Sequence, residues 1–276
     1  MITKYDWKID AKNICFIGDI HGNYGAVLRE NNRFTDTVFI CCGDCGFGFN
    51  KPGYYKNTIA ELDRRLEKKN NWCVMIRGNH DDPAYFRHQI IKNEKNPDAD
   101  AWNPEDYSRV HMTDAGWEIL KLINSAGQVI NILCGGGAIS IDRIMRVMDR
   151  NWWRDEEVDH EDPENIKSAL DKYCSREDVY IASHTSPDKA DPFGNKGVVT
   201  GFSRLDPSIE KECDEEREYM SKVFRSVVQS KANIIGWWYG HFHESYSGVM
   251  TDGDLQCRYI GLNIEELSMI ENAWNH

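Results

Sequence analysis

Asn13-Ile14-Cys15-Phe16-Ile17-Gly18-Asp19-Ile20-His21-Gly22-Asn23 sets a short apolar run against a carboxylate and an imidazole two positions apart, framed by glycines. Side chains at i and i+2 of an extended chain point the same way, so a buried strand ending here would aim Asp19 and His21 at one metal ion. Glycine on either side permits a sharp turn and close approach of a ligand. Taken alone, the stretch is equally well a strand followed by a turn with an exposed Asp and His. The remaining sequence has to decide between the two.

Four later stretches repeat the form, each placing potential ligands just after an apolar run. They are Val38-Phe39-Ile40-Cys41-Cys42-Gly43-Asp44, Trp72-Cys73-Val74-Met75-Ile76-Arg77-Gly78-Asn79-His80-Asp81, Tyr180-Ile181-Ala182-Ser183-His184 and Trp237-Trp238-Tyr239-Gly240-His241-Phe242-His243. Singly, Asp44 reads as a turn residue, Asn79 as a cap and His184 as a satisfied buried histidine. In an open α/β sheet, however, the ends of parallel strands share one crevice, so ligands far apart in sequence meet there. Five such clusters, all at strand ends, are hard to explain independently.

The chain between them reads as α/β. Apolar, β-rich runs recur at Ile14 to Ile17, Val38 to Cys42, Trp72 to Ile76, Val129 to Leu133, Val179 to Ala182 and Ile234 to Tyr239, with helix-like stretches at Tyr24 to Glu30, Tyr54 to Lys69, Glu164 to Lys172 and Glu210 to Lys231. The first three strands alternate with helices as βαβ units do, which favours a parallel sheet covered by helices. Asp252-Gly253 between two late strand signals predicts a hairpin. Residues 82–115, polar and containing Pro83, Pro97 and Pro104, read as an insertion; so do 149–163, an acidic stretch around Trp152-Trp153 that is either a lid or a solvated loop. With no linker composition anywhere, residues 1–276 are expected to form a single domain.

Lys and Arg number 33 against 45 Asp and Glu, a formal charge of −12. That balance argues against binding duplex nucleic acid or an anionic membrane by charge alone, and an anionic substrate would need local positive charge such as bound metal ions. The N-terminal residues lack the apolar segment of a secretory signal and no later run is long enough to span a bilayer, so a soluble, cytoplasmic protein is expected. Nine cysteines, several inside strand-like runs, form no disulfide pattern and read as small buried hydrophobes. Cys42-Gly43-Asp44-Cys45 has no second pair to complete a zinc knuckle.

The set Gly18-Asp19-Ile20-His21-Gly22, Gly43-Asp44, Gly78-Asn79-His80-Asp81, His184 and Gly240-His241-Phe242-His243 resembles the calcineurin-like metallophosphoesterases, of a bacterial or phage type. The resemblance implies a four-layer α/β-β/α sandwich of two mixed sheets flanked by helices. It implies two transition-metal ions (Mn²⁺, Fe or Zn²⁺), one held by Asp19, His21 and His243, the other by Asn79, His184 and His241, with Asp44 bridging. These oxygen and nitrogen donors suit such ions without a thiolate. Metal-activated hydroxide would attack phosphorus in line, with His80 stabilising or protonating the leaving oxygen.

Protein phosphatases of this superfamily read GDxxDRG, with an Asp that orients the catalytic His and an Arg that grips phosphate. Here the segment is Gly43-Asp44-Cys45-Gly46-Phe47-Gly48-Phe49, and both helpers are missing. Asp81 is a weak candidate to orient His80. Arg77 is another local cation. Arg143 and Arg146, in the segment after Gly135-Gly136-Gly137, either contact phosphate in a bidentate manner or form surface salt bridges. The missing helpers and the final histidine pair favour hydrolysis of a phosphodiester or small phosphorylated substrate. A protein Ser/Thr phosphatase and a non-catalytic scaffold of the same fold are the alternatives.

Overall fold

The computed structural model describes residues 2–87, 90–92, 101–192 and 199–275. The first half runs β1 (Thr3–Lys8), β2 (Asn13–Ile17), α1 (Tyr24–Arg33), β3 (Thr37–Cys41), α2 (Pro52–Glu67), β4 (Trp72–Met75) and β5 (Val110–Met112). The second half runs β6 (Trp117–Ile123), β7 (Val129–Gly135), α3 (Pro163–Tyr173), β8 (Asp178–Ser183), the short α4 (Val199–Phe202), α5 (Ile209–Val228), β9 (Asn233–Tyr239), β10 (Tyr246–Asp252), β11 (Leu255–Gly261) and β12 (Leu267–Ile270). The strands form a five-stranded sheet in the order β12-β2-β3-β4-β5 and a seven-stranded sheet in the order β1-β6-β7-β8-β9-β11-β10. Both are mixed: β2 to β5 are mutually parallel with β12 antiparallel at one edge, and β7, β8, β9 and β11 are parallel between antiparallel neighbours.

Alternation along the strands builds the layers. Ile14 and Phe16 of β2, Val38 and Ile40 of β3 and Trp72 and Val74 of β4 face Leu120, Ile132, Tyr180, Ala182 and Trp238 of the other sheet. The intervening residues Cys15, Phe39, Cys41, Cys73 and Met75 turn outward onto Ile59, Leu62 and Leu66 of α2. On the far side, Leu133, Val179, Ile181 and Trp237 meet Met220, Val223 and Val227 of α5. Central strands are thus buried on both faces, which is why they read as continuous apolar runs. The result is the four-layer sandwich, two mixed sheets between helices.

The two stretches read as insertions are tied into the fold. Within 82–115, residues 88–89 and 93–100 lie outside the described residues, but Tyr85, Phe86 and Trp102 are core residues and Val110–Met112 is the edge strand β5. The acidic stretch 149–163 is mostly exposed but pins itself down through the buried Trp153, Glu156 and Val158. Nine cysteines are free and buried, and no helix among the described residues is long and apolar enough to cross a membrane.

Candidate metal centre

The ends of β2, β3 and β4 in one sheet and of β8 and β9 in the other open onto the same rim of the sandwich. The crevice therefore lies between the two sheets of the sandwich. Close packing across the joint depends on glycine. A Cβ on Gly43 would sit 2.0 Å from His184 Nδ1, and one on Gly240 would sit 2.0 Å from Asp19 Oδ1. The turns that follow are tight enough to hold His21, Asp44, His241 and His243 at φ of 44°, 46°, 69° and 54°. Backbone of this kind costs roughly 1–3 kcal/mol per residue and persists only where the surroundings over-determine it.

Asp19, His21, Asp44 and His243 bring one donor atom each to within 4.8 Å of one another. His243 Nε2 is 3.0 Å from Asp19 Oδ2 and also 3.0 Å from His21 Nε2. A second group lies beside it. Asn79 Oδ1 is 2.8 Å from His184 Nε2 and 3.1 Å from His241 Nδ1, and Asp44 Oδ1 is 3.2 Å from His184 Nε2. Asp44 Oδ2 lies 3.7 Å from His21 Nδ1, so this one carboxylate touches both groups.

The donors fit cations. Asp19 and Asp44 are almost completely buried, and buried carboxylates require compensating positive charge. Burial opposes ionisation of Asp44, but His184, His80 and His21 hold its carboxyl well below the usual range. Burial likewise disfavours charge on His184, yet Asp44 and Asp19 push it up to about 10. The same field favours a divalent ion. Adjacent donors about 3 Å apart are the spacing expected around one ion with bonds of about 2.1 Å, and two imidazole nitrogens facing each other, as in His21 and His243, are reconciled by a shared cation.

The remaining expected site residues divide. His80 lies at the edge of the group, its Nε2 4.0 Å from Asp44 Oδ2. Arg146 stands over it, donating to His80 Nδ1 at 2.9 Å, while Asp142 grips the guanidinium at 2.6 and 2.7 Å. His80 and Arg146, with His21, Gly22, Gly46, Phe49 and Asn50, line a pocket of about 320 Å³. Asp81 does not orient His80. Its carboxylate accepts from the backbone amides of Cys45, Gly46, Phe47 and Gly78 at 2.9, 2.6, 2.8 and 2.8 Å, stitching the Asp44 loop to the Asn79 turn.

Arg77 and Arg143 are not at the pocket either. Arg77 is buried and donates to the carbonyls of Ala115, Glu156 and Glu157 at 3.1, 2.7 and 2.8 Å, clamping the acidic loop in place. Arg143 is engaged by Asp206, Glu212 and Ser208, which ties its segment to the start of α5. Sequence reasoning missed Ser140, Asp142 and Glu156, which hold Asn79 and Arg146. The first two sit in the segment after the glycine run, but nothing distinguished Glu156 from its acidic neighbours.

No curated protein matches the chain. Among solved structures it is similar to an isoleucine-to-methionine mutant of a cold-active protein tyrosine phosphatase, 14% identical, covering 99% of this chain and 78% of that one at a TM-score of 0.36, a likeness that carries no argument. The model of the calcineurin-like phosphoesterase family matches residues 12–245. That span takes in both donor groups and His80, and the chain belongs to the calcineurin-like phosphoesterase family.

Proposed function

We propose that this protein is a dinuclear metal-dependent phosphoesterase that hydrolyses a phosphodiester or another small phosphorylated substrate. The observation that carries the reading is the position of Asp44, whose two oxygens reach His184 in one donor group and His21 in the other at 3.2 and 3.7 Å. Asp19, His21, Asp44 and His243 would hold one ion; Asp44, Asn79, His184 and His241 would hold the other. Two such ions, Mn²⁺, Fe or Zn²⁺, would supply an activated water and neutralise charge on the phosphoryl oxygens.

The protein's own groups then bind and orient the ester. Arg146, held in an ion pair by Asp142, sets its guanidinium beside His80 as the donor for a phosphoryl oxygen. The guanidinium lies against both ring nitrogens of His80, 2.9 Å from Nδ1 and 3.3 Å from Nε2, so arginine and imidazole would face the leaving oxygen together. A pocket of about 320 Å³ matches a small substrate.

One observation favours a second reading. Ile144, Met145, Val147 and Met148 flank Arg146 and are 49% exposed or more, an apolar rim that suits a protein substrate or a protein-binding scaffold. Metal analysis and a substrate panel separate the possibilities. We expect about two transition metals per chain and Mn²⁺-stimulated turnover of bis-(p-nitrophenyl) phosphate, cyclic nucleotides or dinucleoside polyphosphates above phosphopeptides. Fewer than about one metal per chain with no hydrolysis would overturn the enzyme reading in favour of the scaffold. Preference for phosphopeptides would instead assign a Ser/Thr phosphatase.

A further inference from the structure

Asn79 carries two sterically similar atoms, and only its carbonyl oxygen can ligate a cation. Nothing in the shape of an amide decides which atom faces the histidines, so a neighbour must choose. In this structure the choice is made by a buried chain of hydrogen bonds. Asn79 Nδ2 donates to Ser140 Oγ at 2.8 Å, Ser140 Oγ donates to Glu156 Oε2 at 2.7 Å, and the Ser140 backbone N–H donates to Glu156 Oε1 at 2.7 Å. All three residues are at most 3% exposed.

The polarity of this chain is set at its far end. Glu156 takes both the hydroxyl proton and the amide proton of Ser140, so the Ser140 oxygen is left to accept, and what it accepts is the Asn79 amide N–H. The Asn79 oxygen is thereby turned to His184 and His241. A flipped amide would set its oxygen against the lone pairs of Ser140 and its NH₂ where a cation ligand is needed. Glu156 is itself anchored: Arg77 holds its carbonyl at 2.7 Å and the Ala138 amide donates to the same carbonyl at 3.1 Å.

We propose that Ser140 and Glu156 are positioning residues that orient the Asn79 oxygen and so set affinity for the cation held by Asn79, His184 and His241. This rests on the dinuclear reading. The test is Mn²⁺ titration of the full chain by calorimetry at a pH above 7, where Glu156 is ionised, with metal content by elemental analysis, alongside the thermal midpoint of the metal-free protein. Ser140→Ala should weaken one of two Mn²⁺ sites by about tenfold or more, the usual effect of removing an outer hydrogen bond to a ligand, and leave the other within about twofold. Ser140→Thr, which keeps the hydroxyl, should restore it. Glu156→Gln, close in shape, should weaken the same site and serves if Ser140→Ala is unstable.

Asn79→Asp supplies the discriminating background, because both atoms of its carboxylate are oxygens and the choice of face disappears. There, adding Ser140→Ala should change Mn²⁺ affinity by less than about threefold. Two sites in the wild type, both unchanged in Ser140→Ala and Glu156→Gln, would overturn this assignment alone. Equal weakening of both sites with a lowered midpoint of the metal-free protein would also overturn it, assigning a merely structural role. A wild type that binds a single Mn²⁺ would overturn the dinuclear reading itself.

Discussion

Asp81→Asn separates a structural role for this residue from a catalytic one. The carboxylate is fully buried, and each oxygen accepts two backbone amides: Oδ2 from Cys45 and Gly78, Oδ1 from Gly46 and Phe47. In asparagine one oxygen becomes an NH₂, so whichever way the amide turns, two N–H donors face a third donor. Net hydrogen bonds to a charged acceptor contribute roughly 1.5–3 kcal/mol each, and losing two costs about 3–6 kcal/mol. For a chain of this size that corresponds to a fall in Tm of roughly 5–10 °C. The assay is thermal denaturation in excess chelator, so that lost metal binding does not mix with lost stability. A fall under about 2 °C, accompanied by a large loss of kcat with metal retained, would refute the reasoning and return Asp81 to the role of orienting His80.

Asp44→Asn removes the one carboxylate shared by both donor groups, and charges 4 Å apart interact by about 4 kcal/mol even at an effective dielectric of 20; both Mn²⁺ affinities should fall together in calorimetry, whereas loss of one alone would contradict the bridging role. Arg146→Ala should raise KM or cut kcat on a phosphoester, lowering kcat/KM by about 10²-fold, with metal content unchanged; steady-state kinetics that match the wild type would remove Arg146 from the site. Burial pushes the Glu156 carboxyl up to about 7, so below that pH the folded protein holds a proton that the unfolded chain releases, and above it Glu156 is the carboxylate that accepts both protons of Ser140. Stability from this group is therefore fully present below the ordinary carboxyl range and is lost as pH rises through about 7. Denaturant titrations of the metal-free protein should show that decline in the wild type and a flatter profile in Glu156→Gln; identical slopes would contradict it.

Those strands that were legible from residues alone are the ones buried on both faces. Ile14–Ile17, Val38–Cys42 and Trp72–Ile76 read as apolar runs because helices cover one side and the opposite sheet covers the other. Edge strands were harder. Thr3–Lys8 is polar at most positions, Val110–Met112 is three residues long in a proline-containing stretch, and Leu267–Ile270 is only half-buried. Their pairing comes from a neighbouring strand and leaves little trace in local composition.

Much the same division runs through the site. The sequence by itself determined the candidate donors, because a metal centre demands particular atoms and tight turns favour glycine; Asp19, His21, Asp44, Asn79, His184, His241 and His243 were recognisable from those words, and Asp19, His21, Asp44 and His243 come together in the fold. Only the tertiary structure decided what the remaining charged groups do. Arg77, Arg143, Arg146 and Asp81 all stood near the right words, yet Arg146 alone reaches His80, because a long side chain's partner is set by which loop folds over it. Glu156 lies 77 positions from Asn79 and acts on it through Ser140. A hydrogen bond requires an approach of about 3 Å in space, and no spacing along the chain encodes that.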